Sequence, residues 1–214
     1  MRVGVLVATA PIAMLAACTS GGSAGKAATP SASTGSSASA AAPSSSAAPV
    51  LDAGTASRVL AGLPLPTSSV DVFAPAVFTG SSSLGDLGSA SWNIHQRGSA
   101  RIWAAKLYVY RSVAEAQRAL QRNPAAGAIC AGKPTPITGL TDPAALKSTA
   151  ITCTGKGSPA LSWVIVQQVN GKVHTIFATN ASSRPSALAA ARPLLRALIP
   201  VIAKAESAVR DLKA

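Results

Sequence analysis

The chain has few carboxylates, few histidines and few aromatic rings. Seven Asp and Glu face 19 Lys and Arg in 214 residues, with 2 His, 3 Trp, 3 Phe and 2 Tyr. So few carboxylates offer little from which to build the paired acid and base of a glycosidase. His95 and His174 are single, and neither Cys130 nor Cys153 has a second thiol nearby, so no metal-ligand spacing occurs. A catalytic triad needs a nucleophile and a carboxylate around one histidine. Within residues 51–214 neither Gly-x-Ser-x-Gly nor Ser-x-x-Lys occurs to propose one. Gly155-Lys156-Gly157 has the look of a phosphate loop but leads into a strand pattern, without the helix N-terminus that phosphate needs. It reads as a turn. No catalytic residue, cofactor or metal is assigned.

Basic runs are missing too. The net charge is +12, yet the basic residues are scattered from Arg58 to Lys213, with no block of four and no aromatic interleaving. That spread excludes the usual nucleic-acid footprint. Two readings of the charge remain: attraction to anionic headgroups or acidic wall polymers, or simple solubility of an Ala-rich surface.

Nor is there an N-terminal apolar run long enough to span a bilayer. Val3 to Leu15 follows Arg2 and is almost uncharged, but a span needs about 20 residues. This is the anatomy of a secretory signal, with small Ala16 and Ala17 at its end. Leu15-Ala16-Ala17-Cys18 resembles the lipobox of bacterial lipoproteins. The resemblance implies that the Cys18 sulfur takes a diacylglycerol and that residues 1–17 are removed. An ordinary export signal with an incidental cysteine is the alternative. The implied partner is the membrane, with the protein on its extracytoplasmic face, since two acyl chains anchor where one holds marginally. In that oxidising compartment the remaining pair, Cys130 and Cys153, is expected to form a disulfide. The loop it closes is worth about 3 kcal/mol on the chain-entropy argument.

Residues 18–50 follow as a linker. Ser, Ala, Gly, Thr and Pro dominate, with Lys26 the one charge. Such a composition buries too little apolar area to fold and spans about 30 Å as a flexible tether. The Ser/Thr sites suit O-linked sugars.

Residues 51–214 read as one domain. Asp52 caps a short helix with Ala56, Val59, Leu60 and Leu63 inward, ended by Gly62 and Pro64. Residues 64–88 form a long loop with an edge strand near Val70 to Phe78, since Pro75 argues against a central place. Period-two alternation marks strands around Ala90 to His95 and Arg101 to Tyr110. Ser112 and Glu115 form a capping box, and Asn123-Pro124 stops that helix. Residues 124–146 look irregular. Asn170-Gly171 calls for a two-residue hairpin turn, pairing Ile165 with Ile176 and Val164 with Phe177. Both faces of that hairpin are apolar, which places it centrally. A last helix starts near Ser183 and Pro185. Leu188, Ala191, Leu195, Leu198 and Ile202 form its stripe, and Pro193 and Pro200 on the other side predict a curved or broken rod.

The sum is an α+β domain: an antiparallel sheet of about five to six strands with helices packed on one face. The layout, and the segment from Tyr110 to Cys130, resembles small extracytoplasmic domains of actinobacteria. Among these are sensor domains of receptor serine/threonine kinases and related lipoproteins. The resemblance implies ligand sensing or binding in a cleft between sheet and helix. Trp92, Trp103, Tyr108, Tyr110 and Trp163 are either core residues or the lining of an apolar pocket for an amphiphile. The expected function is therefore a lipid-anchored binding or sensing module of the cell envelope. Its expected partners are a small amphiphilic ligand or an envelope protein. A protein-interaction accessory of a membrane or wall assembly is the alternative, with a hydrolase third.

Overall fold

Leu- and Ala-striped helices need a sheet to cover, and the strand patterns supply one. The computed structural model describes residues 49–66, 70–72, 76–79, 84–96, 102–122 and 124–213. The signal-like run, Cys18 and most of the linker lie outside them. All described residues fall within one unit, Ser46–Ala214.

The elements in order are α1 (Ala53–Ala61), β1 (Val70–Val72), β2 (Ala76–Thr79), β3 (Gly88–Gln96), β4 (Ile102–Val109), α2 (Val113–Gln121), α3 (Pro124–Ile129), β5 (Cys130–Pro136), β6 (Lys147–Gly155), β7 (Ser158–Asn170), β8 (Val173–Ala181) and α4 (Arg184–Val209). Six long strands make an antiparallel sheet ordered β3-β4-β8-β7-β6-β5, and β1 and β2 share the outer edge of β3. The edge strand expected near Val70 to Phe78 is thus two short pieces.

Helices α1, α2 and α4 begin where their caps predict. Asp52 Oδ1 accepts from Thr55 N at 2.6 Å, and Ser183 Oγ accepts from Ser186 N at 3.3 Å. Ser112 Oγ accepts from Glu115 N at 3.2 Å, while Glu115 Oε2 accepts from Arg111 N at 3.2 Å. The reciprocal half of that capping box therefore reaches one residue further back than the usual pattern.

The helices divide between the faces of the sheet. On one face, Leu60 of α1 and Leu194, Leu198 and Ile202 of α4 bury against Leu107, Val109, Val164, Val166 and Phe177. On the other, Ala116, Ala119 and Leu120 of α2 and Ala126 of α3 cover Tyr108, Ile165, Val169 and Ile176. Helices on one face only, as expected, describes α1 and α4. The second face is covered as well, because the central strands are apolar on both sides and the half-apolar face of β4 also needs burying.

The segment 124–146 is more regular than its prolines suggested. Pro124 opens α3, where its missing N–H costs nothing. Pro134 and Pro136 sit in β5, the edge strand, which tolerates them. A register shift between Ala131 and Thr135 accommodates Gly132 at φ +80°. The Cys130–Cys153 disulfide ties β5 to β6 with a Cα–Cα distance of 5.6 Å. As expected, Lys156 and Gly157 make a turn, here the link between β6 and β7. The final helix is one unbroken element despite Pro193 and Pro200. Pro200 is exposed and Pro193 half-buried.

One register differs. Ile165 lies opposite Ala178 and Val166 opposite Phe177, so β8 sits two positions further along than the Asn170-Gly171 turn implied. The loop is Gly171–Lys172, closed by Asn170 opposite Val173. Two contacts explain it. Buried Asn170 stays in the strand and donates from Nδ2 to Asp142 Oδ2 at 3.2 Å. Lys172 Nζ donates to the carbonyls of Val209 at 3.3 Å, Arg210 at 3.2 Å and Leu212, capping the C-terminal end of α4.

Gly171 has φ +58°, and a Cβ there would come within 2.9 Å of Glu206 Oε1. Gly171→Ala is expected to lower unfolding stability by about 1–3 kcal/mol, read by denaturant titration; an unchanged midpoint would refute the strained-turn assignment.

Candidate functional site

The loop before β6, the tip of the β7–β8 hairpin and the last turns of α4 meet around an open cleft of about 370 Å³. Its lining mixes apolar Ala144, Leu146, Ile199 and Ala203 with polar Asp142, Asn170, Glu206 and Arg210. Leu146 stands at the rim, 58% exposed.

Each polar group is held for a local reason. Asp142 precedes Pro143, and its Oδ1 accepts from Ala144 N at 2.9 Å, the side-chain turn that Asp favours. Its own N–H donates to Gln168 Oε1 at 3.1 Å, and Oδ2 receives Asn170. Asp142 therefore clamps the loop onto β7. Glu206 and Arg210, one helical turn apart, form a two-point pair: Arg210 Nε donates to Glu206 Oε1 at 2.9 Å and Nη2 to Oε2. That guanidinium holds the Glu206 carboxyl below its usual range. Asn170 Oδ1 is buried and accepts no hydrogen bond among the described residues. The arrangement can bind a small molecule with an apolar body and a polar end; it presents no nucleophile next to a base.

The opposite face holds a buried polar cluster. His174 is 0% exposed, and its ring stacks on Tyr108 with centroids 5.8 Å apart, with Tyr110 tilted at 6.4 Å. Neither ring nitrogen meets a hydrogen-bond partner among the described residues. Burial pulls its pKa down to about 4. Burial first, then the nearby Asp86 carboxylate, pushes Tyr108 up to about 12, and Tyr110 shifts upward for the same leading reasons. His174 is thus a dry, neutral imidazole, without the hydroxyl and carboxylate bonds of a triad. Its strand partner is Val169, not the Gln167 that the turn implied.

Of the five aromatics singled out from the sequence, the four with described side chains divide between the two cores. Trp92 is buried in the α1–α4 core, whereas Tyr108 and Tyr110 belong to the core under α2. Trp163 packs at the edge of that second core and lies over Gly155, where a Cβ would come within 2.5 Å of its Nε1. Trp103 pairs with Ile94 and His95 with Ile102 in the sheet; their side chains fall outside the described part. None of the four described side chains lines the cleft. Cys130 and Cys153 are joined on the sheet edge.

Sequence reasoning passed over Asp142, Asn170, Glu206 and Arg210. The Asp-Pro step at 142–143 and the i, i+4 pair of Glu206 and Arg210 were legible as local signals. Their meeting across a hairpin tip was not.

No protein-family model matches the chain, and no curated protein matches it. Among solved structures it is similar to the extracellular domain of PknH from Mycobacterium tuberculosis. The identity is 12% and the TM-score 0.41, over 71% of this chain and 93% of that one.

His174 gives a pH test of the cluster. Its pKa is about 4 folded, against an ordinary value near 6.5. The unfolded chain therefore binds the extra proton between those values. Stability is full above about pH 6.5 and falls as the pH drops towards 4, by about 3 kcal/mol from this group. Denaturant unfolding across that window should show the loss, and His174→Phe should flatten it; an identical slope in the variant would remove His174 as the cause.

Proposed function

We propose that this chain is a lipid-anchored, extracytoplasmic binding module of the cell envelope. Its cleft between α4 and the loop before β6 takes a small amphiphile. The observation that carries the reading is the cleft's mixed lining: Leu146, Ile199 and Ala203 together with Asp142, Asn170 and the Glu206–Arg210 pair. An apolar body packs on the first set, and a polar group meets the carboxylates, amide or guanidinium of the second. A disulfide on the sheet edge suits an oxidising compartment. The Leu15-Ala16-Ala17-Cys18 segment supplies the route there and the acyl anchor. The role is binding and not catalysis, consistent with a site whose acidic groups are tied into structural hydrogen bonds.

The second reading is an accessory that docks on an envelope protein. Exposed Leu146 favours it, since a rim leucine beside a cleft also accepts an apolar side chain from a partner.

Two measurements test these readings. Fractionation of host cells is expected to find Cys18→Ala protein in the soluble extracytoplasmic fraction, and membrane retention equal to wild type would overturn the anchor. Native mass spectrometry of the mature protein from its own host is expected to show a co-purified amphiphile that Leu146→Asp loses. A ligand retained by Leu146→Asp places the site elsewhere, and a ligand-free protein that captures an envelope protein through Leu146 favours the accessory role.

A further inference from the structure

The outward face of α4 is basic and free of carboxylates. Of its 26 residues only Glu206 is acidic, and Arg210 neutralises it at the far end. At about 100° per residue, Arg196 points directly away from the buried Leu194, Leu198, Val201 and Ile202 face. Arg192 precedes it by one turn, and Pro200 and Lys204 follow. All four are exposed. Ala189 and Ser207 on this face are small and exposed, and exposed Ala203 borders the cleft. Arg192 and Arg196 are an i, i+4 like-charge pair, which repels in the free protein. A layer of anionic headgroups relieves that repulsion.

The chain's own path brings such a layer near. Val50 pairs in parallel with Lys213, and Leu51 N donates to Lys213 O at 2.5 Å. Leu51 is buried in the core shared by α1 and α4. The chain therefore enters the domain at Val50 beside the C-terminal end of α4, on the face that carries α1 and α4. On the proposed Cys18 anchor, the chain end that enters the domain beside α4 is also the end joined to the membrane.

We infer that the Arg192, Arg196 and Lys204 face of α4 docks on the anionic headgroups of the membrane, laying the domain flat with α4 against the bilayer. Each basic group near such a surface multiplies binding by about fivefold, so three give about a hundredfold. That is weak for a free protein and sufficient for a tethered one, whose effective concentration at the surface is high. The anchor supplies proximity; the docking itself rests on α4 alone.

The test uses the mature chain with Cys18→Ser, which carries no acyl group, and sedimentation with vesicles of phosphatidylcholine with or without phosphatidylglycerol. Binding is expected only to the anionic vesicles and is expected to fall with added salt. The triple variant Arg192→Glu, Arg196→Glu, Lys204→Glu should lose about a hundredfold or more. A control with the same charge change at exposed Lys106, Lys133 and Lys147 should stay within a few fold of wild type. A Gln version of the α4 triple, with circular dichroism of all variants, separates docking from misfolding. Equal losses in the two triples would show net charge only and overturn the inference. So would no binding to anionic vesicles, or binding only to an acidic wall polysaccharide. Because the probe lacks the lipid, each of these outcomes leaves the Cys18 anchor untouched, and failure of the anchor leaves a positive vesicle result standing.

Discussion

Everything in this domain leans on a hairpin buried on both faces. Along β7 and β8, Val164, Val166 and Phe177 face one core while Ile165, Val169 and Ile176 face the other. A strand pair with apolar residues on both sides must be covered on both sides. The long α4 lies on one face and the shorter α2 and α3 on the other, and the remaining strands pair outward from the two edges. The hairpin is therefore the point where two separate cores share one backbone, and a shift in its position would move both.

What holds that position is polar. Asn170 is tied to Asp142, and Lys172 to the last carbonyls of α4. The same groups build the cleft. Asp142 pins the loop that forms one wall; Gly171 lets the Glu206 carboxylate lie against the turn; Arg210 holds Glu206 in place. Register and binding site are thus one arrangement of contacts. A hydrogen-bonded clamp at a strand end adds only about 1 kcal/mol per bond, but in a hairpin whose alternatives bury similar apolar area that difference chooses among them.

The buried His174, Tyr108 and Tyr110 cluster shows a different balance. Aromatic stacking and apolar burial offset the loss of hydration of an imidazole that burial keeps neutral near pH 7. Nothing in a single histidine set in an alternating strand announces this. Its burial comes from α2 packing over β7 and β8, which lie far along the chain from it.

The caps, the strand periods, the edge position of the segment around Val70 to Phe78 and the central place of the hairpin were legible in the sequence, because each depends on neighbours within a few residues. The cysteine pair was legible as arithmetic, and its closure is seen between β5 and β6. The hairpin register was not. A slip of two residues leaves every side chain on its original face, so the apolar pattern fits both alignments equally. Only Asp142 and the end of α4, brought in from other parts of the chain, separate them. The aromatics read equally as core or as pocket lining in one dimension. Trp92 and Tyr108 lie on adjacent paired strands and face opposite sides of the sheet, and the cleft lies where a loop, a turn and a helix end meet, because only the tertiary structure brings those three together.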